Sequence, residues 1–106
     1  MPKYLISASY TAEGLKGLQR DKASGRQRAV GAAVQGLGGK LDAIYYALGE
    51  HDVYTIVDLP DIITATAFSV AVSASGLVRT KTIALMTVEE TDQALAKNVQ
   101  YRPPGS

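Results

Sequence analysis

The chain has no cysteine and no tryptophan, and its 106 residues include a single histidine and a single phenylalanine. Without cysteine there is no disulfide, no thiolate metal ligand, no iron–sulfur cluster and no cysteine nucleophile. Charge of one sign is also missing. Eleven basic side chains stand against ten acidic ones, a formal charge of +1, so no overall field attracts nucleic acid or an anionic membrane. No apolar run approaches the ~20 residues that span a bilayer. The start, Met-Pro-Lys-Tyr-Leu-Ile-Ser, lacks the apolar core of a signal peptide. The expectation is a soluble cytoplasmic protein with no nucleic-acid and no membrane partner.

What is present suits one folded domain. Hydrophobic residues make up 46% and charged residues 20%, and the length leaves no room for a second core. The domain is expected over residues 1–100. The end, residues 101–106 (Tyr-Arg-Pro-Pro-Gly-Ser), does not continue a helix and reads as a free tail or an arm on a partner.

Residues 3–10 alternate, with Tyr4, Ile6, Ala8 and Tyr10 on one face and Leu5, Ser7 and Ser9 on the other, the period of a strand. Thr11 is placed to cap a helix, with Glu13 in its first turn. Ser24-Gly-Arg-Gln27 has the form of a capping box and predicts a second helical segment after a kink in 21–24. Val30, Ala33, Val34 and Leu37 form its apolar stripe, and Gly38-Gly39 ends it.

Two strands, 40–48 and 52–59, flank a turn at Gly49, where glycine accepts a positive φ without steric cost. Alternation puts Leu41, Ala43, Tyr45 and Ala47 on one face of the first strand and Ile44, Tyr46 and Leu48 on the other. Pro60 stops the second, and Asp61 caps a helix to about residue 74, so apolar that it is expected to be largely covered. A strand over 79–86 follows. Thr87-Val-Glu-Glu90 is another capping box, opening a short helix over 88–97.

The order β-α-β-β-α-β predicts an α+β, ferredoxin-like fold: a four-stranded antiparallel sheet with helices on one face. Both faces of the two middle strands carry Ile, Leu, Val and Tyr. Leaving the second face open exposes a large apolar patch, so a homodimer through the sheet face is expected. Burial at roughly 25 cal/mol per Å² over several hundred Å² favours it by many kcal/mol before association costs.

Along almost its whole length the chain resembles the GYD-domain family, part of the wider group of dimeric α/β-barrel proteins. The resemblance rests on Tyr4-Leu-Ile-Ser, Thr11-Ala-Glu-Gly14, the turn Gly49-Glu-His-Asp52, Leu59-Pro-Asp61 and Gly76-Leu-Val-Arg-Thr-Lys-Thr82. The family pattern at the turn is Gly-x-Tyr-Asp, and here His51 stands in the tyrosine position. The resemblance implies a ferredoxin-like protomer and sheet-to-sheet dimers. Its wider relatives include small monooxygenases, isomerases and haem enzymes, so the fold alone supports several chemistries.

His51 beside Asp52 invites a general-base reading, because histidine titrates near neutral pH and a carboxylate can orient it. Adjacent strand residues point to opposite faces, so a turn-structural role is the stronger reading, with Asp52 accepting backbone N–H groups. A Ser-His-Asp set from Ser7 or Ser9, His51 and Asp58 lacks a Gly-x-Ser-x-Gly elbow. No His-x-His or comparable spacing suggests a metal, and no cofactor is expected.

Of the six tyrosines, five sit on or beside strands. They are either half-buried sheet residues or the lining of a pocket whose hydroxyls fix a ligand. Lys16, Arg20, Lys22, Arg26 and Arg28 read as a solvated basic face. Arg79 is expected to pair with Asp58 or Asp61, or to hold a ligand anion. The expected function is binding of a small organic molecule between sheet and helices, with Tyr10, Tyr54, Arg79 and His51 as contacts. The alternatives are a cofactor-independent monooxygenase or isomerase, in which His51 or a tyrosine moves a proton, and a plain assembly module with no ligand.

Overall fold

The computed structural model describes residues 1–106. In chain order the elements are β1 (Lys3–Tyr10), α1 (Ala12–Gly36), β2 (Lys40–Tyr46), β3 (Val53–Asp58), α2 (Ile62–Ala74), β4 (Val78–Leu85) and α3 (Val88–Leu95). The strands form one sheet in the order β2-β3-β1-β4, with every neighbouring pair antiparallel. The fold is α+β, four strands with three helices.

Helix starts follow the side chains available to accept orphan N–H groups. Thr11 accepts from the Gly14 N–H at 3.1 Å and Asp61 from the Thr64 N–H at 2.7 Å. Thr87 and Glu90 close a reciprocal capping box. The kink in α1 falls at Lys22, whose φ of 62° is left-handed, inside the expected stretch. Ser24 lies within the helix beyond the break and is not its cap. With ψ at 167°, Lys22 sits in a region that is otherwise almost confined to glycine, at a cost of roughly 1–3 kcal/mol.

Gly14 shows where α1 is pinned. A Cβ there would stand 2.0 Å from the Leu77 carbonyl oxygen, which also accepts the Thr11 N–H at 2.9 Å. Only glycine allows the first helical turn to lie this close to the segment before β4.

The core lies between the sheet and the helices. Tyr4, Ile6, Val57 and Leu59 pack with Val34 of α1 and with Ala65 and Phe68 of α2. α1 lies over β1 and β2, and α2 over β4, where the hydroxyls of Ser69 and Thr82 meet at 2.6 Å and those of Ser73 and Thr80 at 2.9 Å. The two helices therefore diverge.

Two expectations need correction. The pairing of β2 with β3 shifts register between Leu41 and Ala43. This bulge reverses the parity of β2, so that Leu41 and Ile44, opposite Val57 and Thr55, share the helix side with Tyr46, and Tyr45 turns to the open side. α2 is also not largely covered. Ala65 and Phe68 are buried, but Ile62, Ile63 and Val70 are exposed, because only one side of the helix meets the sheet.

Candidate functional site

Where α1 and α2 part, the sheet floors a cleft. Its inner part, about 50 Å³, is lined by Ile6, Ala8, Val53 and Thr55 from the central strands, by Val30 of α1, and by Phe68 and Val72 of α2. Its outer part, about 220 Å³, runs under the α1 kink past Gly14, Gly17, Leu18 and Asp21. Tyr10, Arg26, Val72 and Val78 line both parts. The inner part is largely apolar, the outer part mixed, with Asp21 and Ser75 on its wall, and Tyr10 and Arg26 stand where the two meet.

Three side chains make the polar end: Tyr10 from the last position of β1, Tyr46 from the last of β2, and Arg26 from α1 just past the kink. Burial, then the neighbouring Tyr10 hydroxyl, pushes the Tyr46 hydroxyl up to about 12, while Arg26 pulls it down. Tyr46 thus holds its proton well into alkaline pH. Arg26 meets Asp21 only at 3.9 Å, leaving most of its donors free for another acceptor.

The four residues singled out from sequence separate onto two faces. Tyr10 lines the cleft. His51, Tyr54 and Arg79 lie away from it, at or on the opposite face of the sheet, where Tyr54 and Arg79 are paired in register with Ser7 and Ser9. The His51 ring meets Tyr54 edge-on, with centroids 5.9 Å apart at 86°, and its Nδ1 lies 3.3 Å from Ser9 Oγ. Ser9 Oγ donates to the Glu50 carbonyl at 3.0 Å, so its proton is already engaged and the pair is not an activated nucleophile.

Asp52 does not orient His51. Its carboxylate accepts the Tyr10 N–H at 2.8 Å and ties the turn to β1. Asp58 is held with Asp42 by Lys3, at 2.8 Å from its Nζ, so no Ser-His-Asp set forms. Arg79 pairs with neither Asp58 nor Asp61: it stands opposite Ser9 at one end of β1, whereas Asp58 stands opposite Lys3 at the other, and Asp61 caps α2. No group of three or more His, Asp or Glu side chains is placed to hold a metal ion.

From the sequence, Arg26 reads as part of the solvated basic face, and Tyr46 only as one of five tyrosines that belong either to the sheet or to a pocket. Arg26 stands four residues before Val30 and eight before the buried Val34, on the same helical face, and that spacing marked it as inward-facing. Tyr46 was hidden by the bulge, which carries no sequence signature here. No helix is long and apolar enough to cross a membrane.

The GYD domain family model matches residues 4–95. No curated protein and no solved structure matches the chain. With the family's pattern running from β1 through α3, the chain belongs to the GYD domain family.

Proposed function

We propose that the protein is a homodimeric binder of a compact, largely apolar organic molecule carrying one acceptor or anionic oxygen, held in the cleft between α1 and α2. The observation that carries this reading is the convergence of Tyr10, Tyr46 and Arg26 where the apolar inner part of the cleft opens into its outer part. Such a pocket gains affinity from its walls and orientation from its few donors. The strand order β2-β3-β1-β4, with α1 and α2 on one face, supports a ferredoxin-like protomer. The apolar side chains Leu5, Ile56, Ile83 and Tyr54, in register across the uncovered face, support pairing through the sheet.

Calorimetry with matched probes tests the binding reading. Benzoate is expected to bind more tightly than neutral benzamide, and Arg26→Gln to weaken benzoate by ten- to a hundredfold, the worth of roughly 1.5–3 kcal/mol for a charge-assisted hydrogen bond. Equal affinities, insensitive to Arg26, overturn the polar end as a recognition element.

One observation favours a second reading, an isomerase- or monooxygenase-type enzyme. The Tyr46 hydroxyl stands with Tyr10 and Arg26 on the wall of the inner cleft, where it can donate to an enolate or phenolate oxygen. On this reading the tyrosines, and not His51, handle the proton, and His51→Ala leaves turnover unchanged while Tyr46→Phe lowers it.

A further inference from the structure

We infer that α3 and the residues after it form an arm that crosses onto a second copy of this chain. Its apolar stripe lies on the open face of the partner's sheet, and its acidic first turns face the β4 side. The inference rests on the homodimer reading above and specifies how the two copies hold each other.

The arm is unpartnered within its own protomer. Val88 and Leu95, seven residues apart on one helical face, are 82% and 78% exposed, and Val99 and Tyr101 beyond them are 74% and 71% exposed. Yet α3 is a regular helix closed by a complete capping box. Eight residues are too few to hold a helix alone in water, so its order calls for a surface to pack on.

The area of the whole molecule says how large that surface is. The chain exposes 7409 Å². A self-contained protein of this mass exposes about 5,700 Å². The excess, roughly 1,700 Å² per chain, is what an obligate homodimer of about 3,400 Å² total buries, well above a transient contact. The radius of gyration, 16.9 Å, agrees. About 13 Å is usual at this length.

Charge picks the face. α3 carries Glu89, Glu90 and Asp92 and no basic residue. On the open side of the sheet Asp42 and Asp58 are bridged by Lys3, whereas Arg79 and Lys81 of β4 make no salt bridge. Glu89 and Asp92, on the side of α3 nearest the Val88/Leu95 stripe and ahead of Lys97 and Arg102 in the arm, thus match two unpaired positive side chains on the surface, which favours a second copy over an unrelated apolar partner.

Sedimentation equilibrium tests the arm. The full chain is expected to be dimeric at micromolar concentration. The double variant Val88→Asp, Leu95→Lys places each new charge at the end of α3 that stabilises it, so the helix persists by circular dichroism. Both positions are exposed in the protomer, so a free arm tolerates the change, whereas a docked arm loses at least tenfold in dimer affinity. Lys81→Glu is expected to weaken the dimer too, and Glu89→Lys added to it to restore part of the loss. A monomeric full chain removes the dimer reading and the arm with it. An unchanged dimer in both variants overturns the arm and leaves pairing through the sheet standing.

Discussion

Arg26 and Tyr46 work as a pair of opposites. Burial and the Tyr10 hydroxyl hold the proton on Tyr46, and the Arg26 guanidinium favours its release. With the hydroxyl raised to about 12 from the ordinary 10, the folded chain binds this proton more tightly than the unfolded one. Its contribution to stability is present below pH 10 and is lost as the pH rises from there to about 12. Titrated by tyrosinate absorbance, one tyrosine of the six is expected to ionise late. Tyr10→Phe should bring that step earlier and Arg26→Gln push it later. Shifts of the same sign in both variants contradict the arrangement. Gly14 is the other residue on which the cleft depends, since it sets how closely α1 approaches Leu77. Gly14→Ala is expected to cost about 1–3 kcal/mol by urea unfolding, the usual range for overpacking.

At the scale of elements, the caps and the Lys3 cluster make the fold sensitive to acid. The Asp61 carboxyl is held low by the Thr64 N–H, Glu90 by the Thr87 N–H, and Asp42 by the Lys3 ammonium. Because these groups are lowered in the folded chain, their stabilisation is present above the ordinary carboxylate range and disappears as the pH falls through it. The Lys3 ammonium is raised by Asp42 and Asp58, and its share is lost only as the pH climbs past its usual 10.5. The melting temperature is expected to fall between pH 5 and pH 3, less steeply in Asp61→Asn, which has no titratable cap to lose. Identical slopes contradict this assignment. The caps at Thr11, Asp61 and Thr87 were legible in the sequence, because hydroxyls and carboxylates before apolar runs act locally; the kink of α1 falls in the expected stretch, at Lys22, but without the Ser24 cap from which it was read. The bulge at Leu41/Ala43 was not, since register is decided by the partner strand, and it reversed the side on which Tyr45 and Tyr46 stand. For the same reason Tyr10 was recognised as a cleft residue and Tyr46 was not. The lone histidine drew notice by its rarity, but rarity is not placement. His51 packs against Tyr54 and Ser9 away from the cleft.

For the whole molecule the governing fact is excess surface. Only twelve residues are buried and the longest dimension is 56 Å, which, with the exposed sheet face and the projecting arm, supports the proposed second copy. The proposed pairing through that face would leave the cleft, on the helix side, open to a ligand. The central claim is that this cleft is occupied in use. Native mass spectrometry of the protein purified from its own host tests it most directly, with Val72→Phe, which narrows both parts of the cleft, as the control. One noncovalent small molecule per chain, released on denaturation and absent from Val72→Phe, is the result predicted. The bare polypeptide mass, or an adduct that Val72→Phe retains in full, contradicts it.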